Sequence, residues 1–181
     1  MAADHAPSLV AISAAYALSG DDPERALHFA ERALAIDPNN AWGRLRRAYA
    51  YHYFGDQKNA LRDFDAAERL SPLDPFHFNI HFGRGAAYRQ MGDYDAAIRE
   101  INLGMRENPN VKWGYRVLVG TCALAGKQDE ALIAAKEFFR HYPYMTLSYM
   151  WACMPPAIRD RQTGYNAAFK EIFKKAGIPE T

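Results

Sequence analysis

Four prolines, Pro38, Pro72, Pro109 and Pro143, each end an apolar-periodic segment, and they stand 34, 37 and 34 residues apart. Four alanines inside those segments, Ala26, Ala60, Ala97 and Ala131, step by the same 34, 37 and 34. A phase that holds both within each unit and at its end marks a repeat protein. A period of about 34 residues is that of stacked helix pairs, in which no unit can bury its apolar face without a neighbour. Function is therefore expected on the surface that the stack creates.

The second unit, Ala41 to Asp74, shows the pattern most fully, with Ala48, Tyr51, Gly55, Ala60, Phe64, Ala67 and Pro72. In these seven residues and their spacing it resembles a tetratricopeptide repeat. The third unit, 78–111, keeps Gly85, Tyr88, Gly92, Ala97 and Pro109, with Ile101 and Gly104 in place of the aromatic and the second alanine. The fourth, 112–145, is a drifted copy holding Gly126, Ala131 and Pro143, with Val119, Cys122, Ala135 and Phe138 at other signature positions. The first, near 7–40, carries Tyr16, Gly20, Ala26, Ala33 and Pro38. The resemblance implies an all-α fold: a right-handed superhelical solenoid of antiparallel helix pairs, about four repeats in a single domain over 1–181, closed by a C-terminal segment, 146–181.

Each signature residue has a mechanical reason. Small residues stand where two helices cross at close range, and the aromatics fill the wider gaps beside them. Gly20, Gly55, Gly92 and Gly126 end first helices, where a left-handed residue costs glycine little. The acids that follow are expected in the first turn of the second helices. Asp37, Ser71, Asn108 and Tyr142 precede prolines and so leave helical torsions. These signals predict helices near 8–19, 23–36, 41–54, 57–70, 76–91, 94–107, 111–125 and 128–141.

The 37-residue step adds three residues around LSPLDPFHF. Because the phase resumes at once, a longer connection or an extra turn is expected, with Phe76 and Phe78 as side chains to bury. After Pro143 the repeat grammar stops. The final segment places Ile158, Tyr165, Ala168, Phe169, Ile172 and Phe173 at helical spacing with charges between them, as expected of a lid over the last unit.

Composition narrows the class. With 181 residues, 49% hydrophobic and 13% aromatic, the chain can bury a continuous core and should be ordered nearly throughout. Its 22 basic and 21 acidic residues give a net charge of +1, which suggests no bulk attraction to nucleic acid or an anionic membrane. Cys122 and Cys153 are too few for a disulfide framework and are read as small reduced hydrophobes. With neither an export signal nor a membrane-length apolar run, a cytoplasmic location is expected. A chain that opens almost directly on a repeat also fits a part of a longer protein.

His77 and His81 stand four apart in PFHFNIH, a spacing that puts both rings on one helical face, as a metal pair would need. There is no HExxH motif and no acidic third ligand nearby, so they are read as ordinary histidines at a helix start, and no metal or cofactor is expected. Cys122 takes the slot of Tyr16, Tyr51 and Tyr88 and is core filler. No phosphate-binding glycine loop or nucleophile elbow is present, and Gly83-x-Gly85 is better explained by close helix packing. Glu24, Glu31, Asp63 and Asp65 read as the solvated face of second helices. No enzyme is expected.

In the tetratricopeptide-repeat family the first helices line a concave face, and the resemblance carries particular residues onto it. The second unit contributes Trp42, Leu45, Arg46, Tyr49, His52 and Tyr53. The third contributes Asn79, Phe82, Gly83, Ala86, Arg89 and Gln90, and the fourth Trp113, Arg116, Val117, Gly120, Ala123 and Leu124. Aromatics supply contact area and arginines orientation, so the expected ligand is a peptide or protein segment with apolar and acidic residues. The Lys and Asn of the family's clamp for a peptide's terminal carboxylate are missing, which disfavours a chaperone-tail adaptor. More narrowly, the stretch from Arg69 to Ile98 and the ending KAGIPE resemble the repeat regions of bacterial class III adenylate cyclases and of some winged-helix regulators. The alternative is a structural module for homo-oligomerisation, with the groove filled or unused.

Overall fold

The computed structural model describes residues 5–19, 22–153 and 163–181. Gly20, Ile158 and the side chain of Tyr165, singled out above, lie outside the described residues. Among the described residues there are ten helices and no strand: α1 (Ala6–Ser19), α2 (Pro23–Ile36), α3 (Ala41–Phe54), α4 (Gln57–Leu70), α5 (Phe78–Met91), α6 (Tyr94–Glu107), α7 (Gly114–Leu124), α8 (Gln128–His141), α9 (Leu147–Ala152) and α10 (Thr163–Lys175).

The punctuation works as the residue chemistry requires. Gly55, Gly92 and Gly126 take φ of 103°, 82° and 74°, a region that a side chain would strain. The carboxylates of Asp22, Asp56 and Asp93 accept the N–H of Arg25, Asn59 and Ala96, so these acids are N-caps just before the helix and not members of its first turn. The pre-proline residues Asp37, Ser71, Asn108 and Tyr142 leave helical torsions and donate their N–H to Ala33, Ala67, Gly104 and Phe138.

The helices pack as α1 on α2, α3 on α4, α5 on α6 and α7 on α8, and each second helix then meets the first helix of the next pair. Ala26, Ala60, Ala97 and Ala131 are 0% exposed at these crossings. The glycine pair of α5 has the same cause: a Cβ on Gly83 would lie 2.2 Å from the Phe64 ring, and one on Gly85 2.9 Å from Ile101. Phe64 and Ile101 are thus buried against backbone, which is how α4 and α6 approach α5 so closely.

Two helices start later than the spacing predicts. Asp74 accepts the N–H of Phe76 with its carboxylate and that of His77 with its carbonyl, and i→i+3 bonds into Asn79 and Ile80 make the added residues a tight turn ahead of α5. Phe78 is buried there, but Phe76 stays half exposed against the edge of Trp42. A similar run of i→i+3 bonds over 111–116 delays α7 to Gly114.

Two further expectations are corrected. Asp63 is no solvated acid: it is 1% exposed and gripped by Arg47 through Nε at 2.5 Å and Nη2 at 2.9 Å, with Arg44 at 3.4 Å. Cys153 is exposed just beyond α9, whereas Cys122 is buried and its thiol is pushed up to about 11, chiefly by burial.

The lid is α10. Phe169, Ile172 and Phe173 are buried with Val119, Cys122 and Phe138, and the rings of Phe138 and Phe173 meet edge to face at 5.6 Å. The chain end then turns back, so that the carbonyls of Pro179 and Glu180 accept the N–H groups of Leu147 and Ser148 at the start of α9.

Candidate functional site

The first helices of the pairs show a charge pattern that the net charge hides. Helices α1, α3, α5 and α7 contain no Asp or Glu, while α3, α5 and α7 hold Arg44, Arg46, Arg47, Arg84, Arg89 and Arg116. Three of these are neutralised across the layers: Arg44 and Arg47 by Asp63, and Arg84 by Asp65 and Glu68. The other three, Arg46, Arg89 and Arg116, were assigned to the groove. Burial pushes the Tyr53 hydroxyl up, and Arg89, Arg116 and Arg46 pull it back, so this one phenol feels all three guanidinium groups.

Arg46 is the most exceptional of them. It lies over the Trp42 ring at 5.0 Å, and its Nε is buried without a hydrogen-bond partner. Burial lowers its pKa, opposed by Tyr49 and Tyr53. An arginine stays protonated regardless, so the result is a half-buried cation that meets no carboxylate among the described residues. Arg116, half-buried on the next-but-one first helix, likewise meets no carboxylate among the described residues.

The aromatics assigned to the groove fall into two groups. Tyr49 and Tyr53 stack at 6.4 Å, and Tyr49 donates its hydroxyl to the Asn79 carbonyl at 2.7 Å, tying the second unit to the third. Trp42 donates its indole N–H to Asp74 at 2.9 Å, which fixes the ring under Arg46. On the far side, Trp113 is 38% exposed and leans on Phe82 at 4.4 Å.

Several of the assigned residues have no surface to offer, Gly83 among them, which is buried against the Phe64 ring, and Arg89, which is 9% exposed. Leu45 is buried with Ala48, Ala60 and Phe64, and Phe82 with Phe78, Ile101 and Val111. His52 is 2% exposed, hydrogen-bonded to Gln57, which in turn bonds Gln90 of the next unit. Burial lowers the His52 ring to about 4. In a stack this tight, a side chain on the inner edge of one helix is taken up by the next. Gly120 and Ala123 are buried for the same reason, Ala123 in the cluster shared with α10.

Residues 78–111 match the Tetratricopeptide repeat family, on the bounds of the third unit. A tetratricopeptide repeat protein from Parabacteroides merdae is similar at 19% identity and a TM-score of 0.68, over 97% of this chain and 66% of that one. The fold is a tetratricopeptide-repeat solenoid. An O-GlcNAc transferase of Thermobaculum terrenum is similar at 17% identity and a TM-score of 0.67 over 76% of this chain, which spans only 26% of the transferase. YrrB, described as a TPR protein with an unusual peptide-binding site, is similar at 17% identity and a TM-score of 0.58, over 94% of this chain and 86% of that one. No curated protein matches the sequence.

What the solenoid's inner wall can do follows from its chemistry. The assigned residues include aromatic rings beside Arg46 and Arg116, which meet no carboxylate among the described residues, a setting in which a carboxylate gains charge-assisted hydrogen bonds at a partly desolvated position. Sequence reasoning found the arginines but missed the sharper signal, which was legible: the absence of any acid from four helices. No helix among the described residues is long and apolar enough to cross a membrane.

Proposed function

We propose that the solenoid is a non-enzymatic interaction module that holds an extended acidic segment, with apolar residues between its carboxylates, along its inner wall. One observation carries this reading: Arg46, half-buried over Trp42, meets no carboxylate among the described residues, and its Nε is buried without a hydrogen-bond partner among them. A buried donor left unpaired costs about 1–3 kcal/mol, and a carboxylate at the outer end of the guanidinium would gain charge-assisted hydrogen bonds that offset it, while Trp42, Tyr53 and Trp113 supply contact area. YrrB gives a precedent for peptide binding on this fold. The narrower resemblance of the stretch around the added turn and of the KAGIPE ending extends the reading to a docking or regulatory part of a bacterial signalling protein, such as an adenylate cyclase, working in the cytoplasm.

The test uses a fluorescein-labelled peptide in which Glu alternates with Leu and Phe, and a second peptide with Lys for each Glu. Binding of the first, weakening as salt rises, and none of the second is expected. Arg46→Glu with Arg116→Glu should weaken binding at least about ten-fold at low salt, each unit of tenfold being about 1.4 kcal/mol. Equal affinity of wild type and variant would overturn the reading. Arg89 is left in place because it is 9% exposed, and its reversal would test folding instead. Light scattering of the same samples separates the self-association alternative, which requires a concentration-dependent dimer that the peptide does not disturb.

A further inference from the structure

We propose that His77, His81 and Glu107 form a binding site for one divalent first-row transition ion of the zinc type, independent of the arginine wall. The sequence left the two histidines without a third ligand; α6 supplies it, 30 residues on from His77. His77 has helical torsions at the start of α5, so the two rings stand one turn apart, 5.2 Å between centroids and at 82° to each other. Their ligating atoms and a carboxylate oxygen of Glu107 all lie within 4.8 Å of one another.

The division of labour within each ring is what separates this group from an ordinary ion-pair cluster. His77 turns Nδ1 to Glu107 Oε1 at 2.7 Å and gives Nε2 to Glu68 Oε1 at 3.1 Å. His81 gives Nδ1 to Glu100 Oε2 at 2.7 Å and leaves Nε2 facing Glu107 Oε2 at 3.9 Å. Each imidazole therefore has one nitrogen held by an outer carboxylate and the other aimed at a common point beside Glu107. Outer carboxylates of this kind fix the tautomer and raise the basicity of a metal-bound histidine.

The donor set selects the ion. Two neutral imidazoles and one carboxylate suit zinc, copper, nickel or iron, whereas calcium and magnesium take all-oxygen sets. Bonds of about 2.1 Å require donors about 3.4 Å apart in a tetrahedron, so closing the site from its present spacing needs only a small rotation. Glu107 is able to make it, being exposed at the end of α6. With three protein ligands, a fourth position is left for water. Such an ion would join α5 to α6 at the unit that follows the 37-residue step, with Glu68 of α4 held to it through His77. Ligand pairs from neighbouring helices act as a clip because the unfolded chain does not preform them. On α5 these histidines face away from Asn79, Ala86 and Arg89, so this site and the arginine wall can fail separately.

The experiment takes the tag-free full chain stripped with a chelator and titrates it with Zn2+ by calorimetry, with Co2+ absorption and thermal unfolding as companion readouts. One equivalent of Zn2+, visible Co2+ bands of tetrahedral intensity and a melting temperature that rises with Zn2+ are expected. Glu107→Gln and His81→Asn should each weaken Zn2+ by more than about a hundred-fold. Glu100→Gln, which alters only an outer partner, should weaken it by about ten- to a hundred-fold while keeping the stoichiometry. His141→Asn is the control and should bind as wild type. Circular dichroism checks folding, and Glu107, being exposed, gives a variant whose helix does not depend on the side chain. Absence of Zn2+ heat and of any melting shift would overturn the site and leave an ion-pair network. So would a Glu107→Gln protein that binds Zn2+ as tightly as wild type.

Discussion

At the scale of single residues, two buried polar groups give the sharpest expectations. His52 titrates at about 4 in the folded chain and near 6.5 when unfolded, so it is neutral in both states at pH 7 and contributes no pH dependence there. As the pH falls below about 6.5 the unfolded chain takes up a proton that the fold refuses, and stability is lost until about pH 4. The full loss is up to about 3 kcal/mol. Urea unfolding at pH 7.5 and 5.0 should show a smaller drop for His52→Gln than for wild type, and equal drops would mean that the ring is not held neutral. Asp63 tests the opposite kind of group. Asp63→Ala strands Arg47 and Arg44 and should cost about 3–5 kcal/mol, whereas replacing Asp63 and Arg47 together by Leu and Met should cost much less. A single variant no worse than the double would show that the pair is not coupled. No feature of the sequence near Asp63 signals this burial, because its partners sit on α3, 16 and 19 residues back. The four crossing alanines, by contrast, were legible from spacing alone, since a small residue recurring in phase has no other cause.

At the scale of helices, what the sequence made legible was its punctuation. Gly55, Gly92 and Gly126 and the residues before the four prolines set helix ends to within a residue, because each acts through local torsions. The late starts of α5 and α7 were not legible, since a tight turn and a first helical turn differ only in which carbonyl an N–H chooses. The six-residue α9 was missed for a related reason: too short to show a period, it is held by the returning backbone of Pro179 and Glu180. The lid helix was legible as an apolar stripe, and its energetic role can be tested. Phe173 is fully buried against Phe138 and Phe169, so Phe173→Ala should cost about 3–5 kcal/mol. Because α10 packs chiefly on α7 and α8, hydrogen exchange should rise most in α7 and α8 and least in α2 and α3. A uniform rise would mean that the stack unfolds as one unit and not pair by pair.

At the scale of the whole molecule, the charge balance of +1 conceals a separation of the acids: none stands on α1, α3, α5 or α7, while the second helices carry acids and arginines together, and three guanidinium groups lie near a single phenol. The candidate groove was half legible for that reason. Residue types marked the wall, but which rings would be consumed by packing, as Phe82 and Leu45 are, depends on how closely neighbouring units approach. For Arg46, which meets no carboxylate among the described residues, the magnitudes decide whether it stabilises the empty stack. Its stacking on Trp42 contributes about 0.5–1 kcal/mol, while an unsatisfied buried donor costs about 1–3 kcal/mol before repulsion from Arg89 and Arg116 is added. Arg46→Met keeps the apolar stem and removes the charge, so it should raise the melting temperature of the empty protein, at about 2–4 °C per kcal/mol gained. Raising the salt from about 0.01 M to 0.1 M shortens the screening length from about 30 Å to 10 Å, and should stabilise the wild type while leaving Arg46→Met nearly unchanged. A less stable Arg46→Met protein would show that the guanidinium braces the fold, and its place in a binding wall would lose its physical basis. A more stable one that no longer takes the acidic peptide is the expected exchange, stability given up in the empty state for an anion that completes it.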